Sequence, residues 1–92
     1  MIQLETTQTV PLTQWEDGTI RIANSGVMLD VILHAYLRGE SPEEIREGFP
    51  TLKLRDIYGA IYYYLDHEER IDEYLHDQEQ KAEEIRRFIE SE

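Results

Sequence analysis

The sequence predicts a small α+β protein that is mostly helical, with an N-terminal β-hairpin, a body of three helices and a long C-terminal helix. Three observations support this prediction. An Asp-Gly turn separates two short segments of strand character. Apolar residues then recur at helical intervals of three and four residues. Finally, residues 66–92 combine an apolar seam with most of the charge of the chain.

The composition limits the class of protein and its partners. With 92 residues, the chain has room for one domain with a thin core. It holds no cysteine, which excludes a disulfide framework and a thiolate zinc site. It shows neither a signal peptide nor a long apolar run, so we expect no membrane partner and a cytoplasmic location. Twenty acids against nine bases give a net charge of −11, which favours a basic partner over nucleic acid.

The first third of the chain predicts a β-hairpin with an exposed edge. Residues 9–14 and 19–22 have strand character and flank the turn at Asp17-Gly18. Ile20 and Ile22 share one face of the second strand. An unpaired strand edge is readily covered by a second copy of the chain, so we assign Ile20 and Ile22 to a homodimer interface.

Helical spacing in the middle of the chain predicts helices over residues 29–38 and 42–47 and a third helix from residue 54 to about 65. The second helix has the clearest start. Ser41-Pro42-Glu43-Glu44 offers a capping serine, a proline suited to the first turn and a glutamate that can complete a capping box. The inner face of the third helix is formed by Leu54, Ile57, Ile61, Tyr64 and Leu65.

The apolar seam continues to the C-terminus with heptad-like spacing. Eight of its ten positions are apolar or aromatic: Ile57, Ile61, Tyr64, Glu68, Ile71, Leu75, Gln78, Ala82, Ile85 and Ile89. Tyr74 and Phe88 broaden it. We expect a bend near His67, where Asp66 could cap a new helix, although one continuous helix over residues 54–89 is the alternative.

Charge is concentrated along this last helix. Residues 66–92 hold eleven acids and four bases, so they carry −7 of the net charge of −11. An acidic amphipathic helix suits a basic protein partner, which would receive the apolar seam in a groove and meet the carboxylates around it. The alternative is a solubilising coiled-coil arm whose seam packs against a second copy of the chain.

Little in the sequence indicates catalysis. The histidines His34, His67 and His76 lack the spacing of metal ligands, and we find no nucleophile–histidine–acid group and no Gly-rich phosphate loop. A chain of this size also has little room for a catalytic cleft. We therefore expect no enzymatic activity, no metal and no cofactor.

Four stretches of the chain resemble one bacterial family. They are VPL at residues 10–12, EDGTIRI at 16–22, LRGESPEEI at 37–45 and FPTLKLRDIYGAIYYYLDH at 49–67. Together they are similar to domain-of-unknown-function family 433, over residue 10 to about 89. Members of that family are regarded as antitoxins of type II toxin–antitoxin pairs, commonly encoded beside a PIN-like ribonuclease toxin. The resemblance implies a homodimer with a helix-turn-helix-like body.

The resemblance also implies that this chain inhibits a cognate ribonuclease toxin and represses its own operon. We accordingly divide it into residues 1–66, a hairpin plus helix-turn-helix-like dimerisation domain, and residues 67–92, an acidic amphipathic helix. Phe88 and Ile89 are the expected anchors, because buried aromatic side chains dominate interface energetics. The full set of expected toxin-binding residues is Leu75, Ala82, Glu83, Glu84, Ile85, Phe88 and Ile89.

The other outward surfaces have two interpretations. If the second and third helices form a helix-turn-helix, the third would enter the major groove. Tyr58 and Tyr62 lie four residues apart on one face and are expected in the dimer interface. If the third helix binds DNA in this way, the protein is a stand-alone helix-turn-helix DNA-binding regulator, which is the alternative function. If these surfaces serve only dimerisation, the protein is a purely structural dimerisation module, which is the third interpretation. The bases expected to contact operator DNA are Arg38, Arg46, Lys53 and Arg55.

Overall fold

A computed structural model of the chain describes residues 2–3 and 9–91. The elements follow in the order β1 (Leu12–Gln14), β2 (Ile20–Ile22), α1 (Leu29–Leu37), α2 (Pro42–Gly48), α3 (Leu54–Asp66) and α4 (Glu68–Glu90). This architecture confirms the predicted fold class, a small and mostly helical α+β protein with an N-terminal hairpin. The molecule is elongated, 66 × 25 × 23 Å, and the 23 residues of α4 alone span about 34 Å.

The hairpin is short and closes through its predicted turn. β1 and β2 pair antiparallel, although the first strand, expected over residues 9–14, begins only at Leu12. Gly18 adopts the left-handed conformation with a φ of +88°, which glycine accepts without steric cost. Next to it, Thr19 Oγ1 donates to Asp17 Oδ1 (2.6 Å) and so fixes the start of the returning strand.

The core lies between the hairpin, α1 and α3, and the first half of α4 covers it. Its large side chains come from β2 and from three different helices, so each apolar face predicted from the sequence contributes. Tyr64, which we expected in the core, is 5% exposed. The largest fully buried side chains are Ile22, Leu29, Ile32, Leu33, Ile45 and Ile57.

Helix ends follow the predicted capping chemistry at α2 but not at α4. Ser41 Oγ accepts from the Glu44 N–H (3.2 Å), and the Glu44 carboxylate accepts from the Ser41 N–H (3.0 Å), which confirms the capping box. α3 and α4 are separate helices that meet at His67, as the predicted bend required. The expectation that Asp66 caps α4 is wrong. Asp66 is the last residue of α3, and His67 holds the N-cap position without a side-chain bond.

Two side chains lie on the opposite side from the one predicted. Leu65, expected on the inner face of α3, is 50% exposed, because it follows Tyr62 by three residues and lies on the same outer face. Ile22, expected in the dimer interface, has no exposed surface and belongs to the central core cluster. Ile22 is therefore not available to a second copy of the chain, since the folded body already covers it.

Gly59 allows the N-terminal segment to lie against the middle of α3. A Cβ added at Gly59 would stand 2.7 Å from Cγ of Pro11 and 3.2 Å from its Cδ. Carbon atoms at van der Waals contact are about 3.5–4.0 Å apart, so a larger residue at this position would force Pro11 away from the helix.

This close approach predicts that Gly59→Ala destabilises the protein, although alanine is favoured over glycine in a helix by about 1 kcal/mol. We expect a net loss of about 1–2 kcal/mol in the free energy of unfolding. Gly48→Ala, at the end of α2, is the matched control, because nothing lies within 4 Å of the added Cβ, and it should be at least as stable as the parent. Urea unfolding followed by circular dichroism measures both. Equal stability of the two variants would show that Pro11 does not pack against α3.

Candidate protein-binding site

The apolar seam of α4 passes from the core into solvent. Ile71 and Leu75 are buried, at 3% and 9% exposure, whereas every residue from 82 to 91 is exposed. We call residues 82–91 the arm. Its large apolar side chains Ile85, Phe88 and Ile89 are 61%, 67% and 65% exposed. One sequence stripe therefore covers the body at its first end, while the side chains at its second end are mostly exposed.

Tyr74 fixes the direction in which α4 leaves the body. Its hydroxyl accepts from the backbone N–H of Ile20 (2.9 Å) and donates to Oδ1 of Asp30 (2.8 Å). One phenol thereby joins α4 to β2 and α1, which lie 54 and 44 residues earlier in the chain. Burial raises the pKa of Tyr74 to about 12, with the bond to Asp30 acting in the same direction and the bond from Ile20 opposing it.

One further hydrogen bond attaches the first half of α4. The Tyr64 hydroxyl donates to Oδ1 of Asp72 (2.9 Å) and connects α3 to α4 beyond the break between them. Burial, assisted by this bond, raises the pKa of Tyr64 to about 12. Further along, the exposed Lys81 brings its Nζ near the hairpin turn, 3.9 Å from the point where a Cβ at Gly18 would stand.

Acidic charge is concentrated in the attached half of α4 rather than in the arm. Residues 68–79 contain six acids and one base, whereas the arm contains three acids and two bases. Within the arm, Nη1 of Arg86 lies 3.7 Å from Oε1 of Glu83. Glu84 makes no ion pair among the described residues. A partner that covers all of α4 would meet carboxylates near the body and apolar side chains at the tip.

The expected toxin-binding residues divide into two groups. Leu75 lies in the core cluster, so its assignment to a partner surface has to be corrected, because the first half of the seam is already covered by the body. The other six residues are exposed on the arm: Ala82, Glu83, Glu84, Ile85, Phe88 and Ile89.

The bases assigned to operator DNA are only partly free. Arg38 Nη2 donates to the Glu40 carboxylate (2.9 Å), and Arg46 Nε donates to the backbone carbonyl of Leu52 (3.4 Å). Lys53 and Arg55 are exposed at the start of α3 and make no ion pair within the described residues.

A fixed negative charge stands on the same side of the molecule. The Tyr58 hydroxyl donates to the Glu43 carboxylate, and this bond lowers the pKa of Glu43 below its ordinary value. Glu43 therefore stays ionised beside the surface that a helix-turn-helix would present to phosphates.

A second uncovered surface runs along α3. Tyr58, Tyr62 and Leu65 are 47%, 72% and 50% exposed on one face of that helix. Arg55 and Asp66 stand at its two ends, and both are exposed. We call these five residues the α3 face. The helical spacing of the sequence correctly predicted Tyr58 and Tyr62 on this face but assigned Leu65 to the inner face. Leu65 lies at the boundary between the two faces, where spacing alone cannot distinguish a buried position from an exposed one.

Ile20, the other strand residue expected in the dimer interface, is half-buried. Its backbone N–H is already bonded to Tyr74, and its side chain packs against the core cluster.

The described residues show no metal site: residues 2–3 and 9–91 contain no group of three or more His, Cys, Asp or Glu side chains suited to hold an ion. None of the helices in the described ranges combines the length and the apolar composition needed to cross a membrane.

A family model described as “Protein of unknown function (DUF433)” matches residues 16–64, just over half of the chain. The match begins ahead of β2 and ends within α3, so α4 and the arm lie outside it. Comparisons with curated proteins and with solved structures found no match.

The role of the Tyr74 hydroxyl predicts that Tyr74→Phe loses about 1–3 kcal/mol of unfolding free energy. The substitution keeps the ring in place but leaves the Ile20 N–H without an acceptor and Asp30 without a donor. Tyr62→Phe is the matched control, because that side chain is 72% exposed, and it should change stability by less than about 0.5 kcal/mol. Urea unfolding of both variants measures the difference. A Tyr74→Phe variant as stable as the control would remove the hydroxyl from the contacts that hold α4.

Proposed function

The chain belongs to the family described as “Protein of unknown function (DUF433)”, and from that premise we propose that it is an antitoxin. In this proposal the arm and the acidic residues before it bind a PIN-like ribonuclease toxin and inhibit it. The observation that carries the proposal is the exposure of Ile85, Phe88 and Ile89 on a helix whose other half is anchored to a folded body. The identity of the partner as a toxin rests on the resemblance of the sequence, because the family description names no partner.

An uncovered apolar stripe on a helical extension favours a protein partner. Complete burial of an isoleucine or phenylalanine side chain contributes about 1.5–3 kcal/mol, and the arm offers three such side chains. Helices as short as the arm are marginal in water without packing, so a partner that covers the stripe also stabilises the helix. The anchored half of α4 gives the arm a fixed origin and direction. Docking of an amphipathic helix in a groove has these features.

The carboxylates of α4 favour a basic partner in particular. A ribonuclease holds the phosphates of RNA with basic side chains, and those side chains form a positive surface. The six acids of residues 68–79 complement such a surface and speed the encounter with it. Since the arm itself is nearly balanced in charge, attraction brings the partner to α4 and apolar contacts at the tip hold it.

The second candidate is a stand-alone DNA-binding regulator, favoured by Lys53 and Arg55 at the start of α3, where a helix-turn-helix meets the major groove. A non-catalytic binding role through the arm has the stronger support. Binding to DNA draws much of its affinity from bases that are free to displace counterions, and Arg38 and Arg46 are already engaged. Operator binding and a homodimer, both implied by the resemblance, remain predictions of the sequence.

Phe88→Ala should weaken binding to the cognate ribonuclease by about 2 kcal/mol, which is roughly a 30-fold increase in the dissociation constant. The reason is that an aromatic anchor loses its buried area in the groove of the partner. Leu37→Ala provides the control, because Leu37 is the last residue of α1, outside the arm, and is 56% exposed, so its truncation should leave binding unchanged. Titration calorimetry measures both. An unaltered dissociation constant for Phe88→Ala would exclude Phe88 from the interface.

Deletion of residues 82–92 separates the two candidate functions. The shortened chain keeps Ile71, Tyr74 and Leu75, so the body should retain its melting temperature, whereas a deletion from residue 66 would also remove core side chains. An antitoxin that acts through the arm loses inhibition of its ribonuclease, while a regulator keeps its DNA site. A ribonuclease assay with increasing amounts of the shortened chain tests this. Full inhibition at equimolar protein would overturn the proposal.

A further inference from the structure

We propose that a cleft between α1 and α4 receives an arginine side chain of the protein partner. This contact rests on the proposed function, in which the partner is a ribonuclease, and adds to the arm a binding site on the folded body. The cleft has a volume of about 390 Å³. We call it the α1–α4 cleft, and the residues that define it are Met28, Asp30, His34, Leu75, Ala82 and Ile85.

The walls of the α1–α4 cleft are largely apolar and continue into the arm. Leu75 belongs to the core cluster, and Met28, directly before α1, is half-buried. Ala82 and Ile85 are exposed residues of the arm that also line the cleft. A partner that covers the apolar stripe of the arm therefore reaches the cleft without a second, separate docking event.

Asp30 places one carboxylate in this apolar setting. It is half-buried in the first turn of α1, and its Oδ1 accepts from the Tyr74 hydroxyl (2.8 Å). Among the residues that the structure describes, Asp30 makes no ion pair. Lys81 also lines the cleft, but its Nζ lies near the hairpin turn, 3.9 Å from the point where a Cβ at Gly18 would stand. A carboxylate that is partly removed from water and lacks a cation favours the arrival of one.

An arginine side chain supplies what the cleft lacks. Its aliphatic stem can lie against Met28, Ala82 and Ile85, while its charged head reaches the carboxylate. The Tyr74 hydroxyl uses only one of the roughly four acceptor sites of the Asp30 carboxylate, so the others can accept from the fork of guanidinium donors. Arginine suits the cleft better than lysine, because a guanidinium is more weakly hydrated than an ammonium and enters a partly dry site more readily.

Other occupants fit the cleft less well. A leucine or phenylalanine would cover the apolar walls but would remove the Asp30 carboxylate from water without replacing its hydration. An acidic side chain or a phosphate would be repelled by Asp30 and by Glu79, which also lines the cleft. On a chain with a net charge of −11, a basic protein is the partner that is attracted.

The position of Asp30 gives the cleft a role in specificity. The Tyr74 hydroxyl that donates to Asp30 also accepts from the Ile20 N–H, so the contacts that orient α4 also orient the carboxylate. The distance between the cleft and the tip of the arm is therefore set by the fold. A partner binds fully only if its arginine stands at the matching distance from the groove that receives Phe88.

A small probe tests the cleft without a ribonuclease. The compound n-butylguanidinium has the stem and head of an arginine side chain, and n-butylurea is its neutral counterpart. In the full chain, n-butylguanidinium should cause saturable shifts of the methyl resonances of Met28, Ala82 and Ile85, with a dissociation constant of about 1–10 mM. The urea should cause none. No saturable shift with the cation, or equal shifts with both compounds, would overturn the proposal.

Asp30→Asn removes the charge but keeps an oxygen that accepts from the Tyr74 hydroxyl, so the chain should stay folded by circular dichroism and lose the probe shifts. Asp56→Asn is the matched control and should respond like the parent. Asp56 is also half-buried in the first turn of a helix, α3, and lies outside the cleft. Equal responses of these two variants would contradict the role of Asp30.

His34→Lys tests the same site without altering the carboxylate. Residue 34 follows Asp30 by one helical turn, so a lysine there can pair with Asp30 from within the chain and exclude the probe. His34→Gln, which adds no charge, should bind the probe like the parent. Probe binding that His34→Lys leaves intact would overturn the proposal.

Titration with the cognate ribonuclease tests the partner. Asp30→Asn should raise the dissociation constant by about tenfold, whereas Asp56→Asn, which changes the net charge equally, should leave it near that of the parent. Equal affinities of the two variants would remove the cleft from the interface. Failure of the antitoxin proposal looks different: the parent then does not bind the ribonuclease, while the probe shifts still depend on Asp30.

Discussion

The hydroxyl of Tyr74 is the contact on which the rest of the structure depends. His67 interrupts the helical backbone with a φ of −138° and a ψ of 44°, so the backbone of α3 alone does not dictate where α4 points. That direction comes from contacts made by α4 itself: Ile71 and Leu75 in the core, and the Tyr74 phenol between Ile20 and Asp30. Because the phenol both accepts and donates, it holds α4 against a strand and a helix at once. The arm is presented to solvent in one direction as a result.

The apolar seam shows what periodicity can predict and what it cannot. Spacing identifies which side chains are apolar and share a face, and this was enough to place Ile85, Phe88 and Ile89 on one stripe. It does not identify what covers them. Leu75 and Ile89 occupy equivalent seam positions, yet one is 9% exposed and the other 65%. The difference arises because β2 and α1 reach as far as Tyr74, and contacts over 44 and 54 residues of sequence cannot be inferred from a local pattern. Ile22 was placed in an interface for the same reason.

Local chemistry, in contrast, was predictable wherever one short segment supplies all the partners. Ser41 and Glu44 cap each other across a single turn, and Gly18 provides the positive φ that its turn requires. The junction between α3 and α4 was predicted at the right position, but the predicted cap, the Asp66 carboxylate, is wrong. There the His67 ring stacks on Tyr63 with centroids 4.1 Å apart, and its Nδ1 lies 3.1 Å from the Tyr63 carbonyl oxygen. A helix break can thus be formed by packing on the preceding turn, without a capping carboxylate.

The two uncovered surfaces of the chain differ in charge pattern. Along α4 the acids are gathered between residues 68 and 79 on a chain whose net charge is already −11, so a second copy would be repelled there and a basic protein attracted. Along the α3 face, Arg55 and Asp66 place opposite charges at opposite ends, so this face lacks the uniform acidity of α4. The family match ends at residue 64, so it includes most of α3 and leaves α4 and the arm outside.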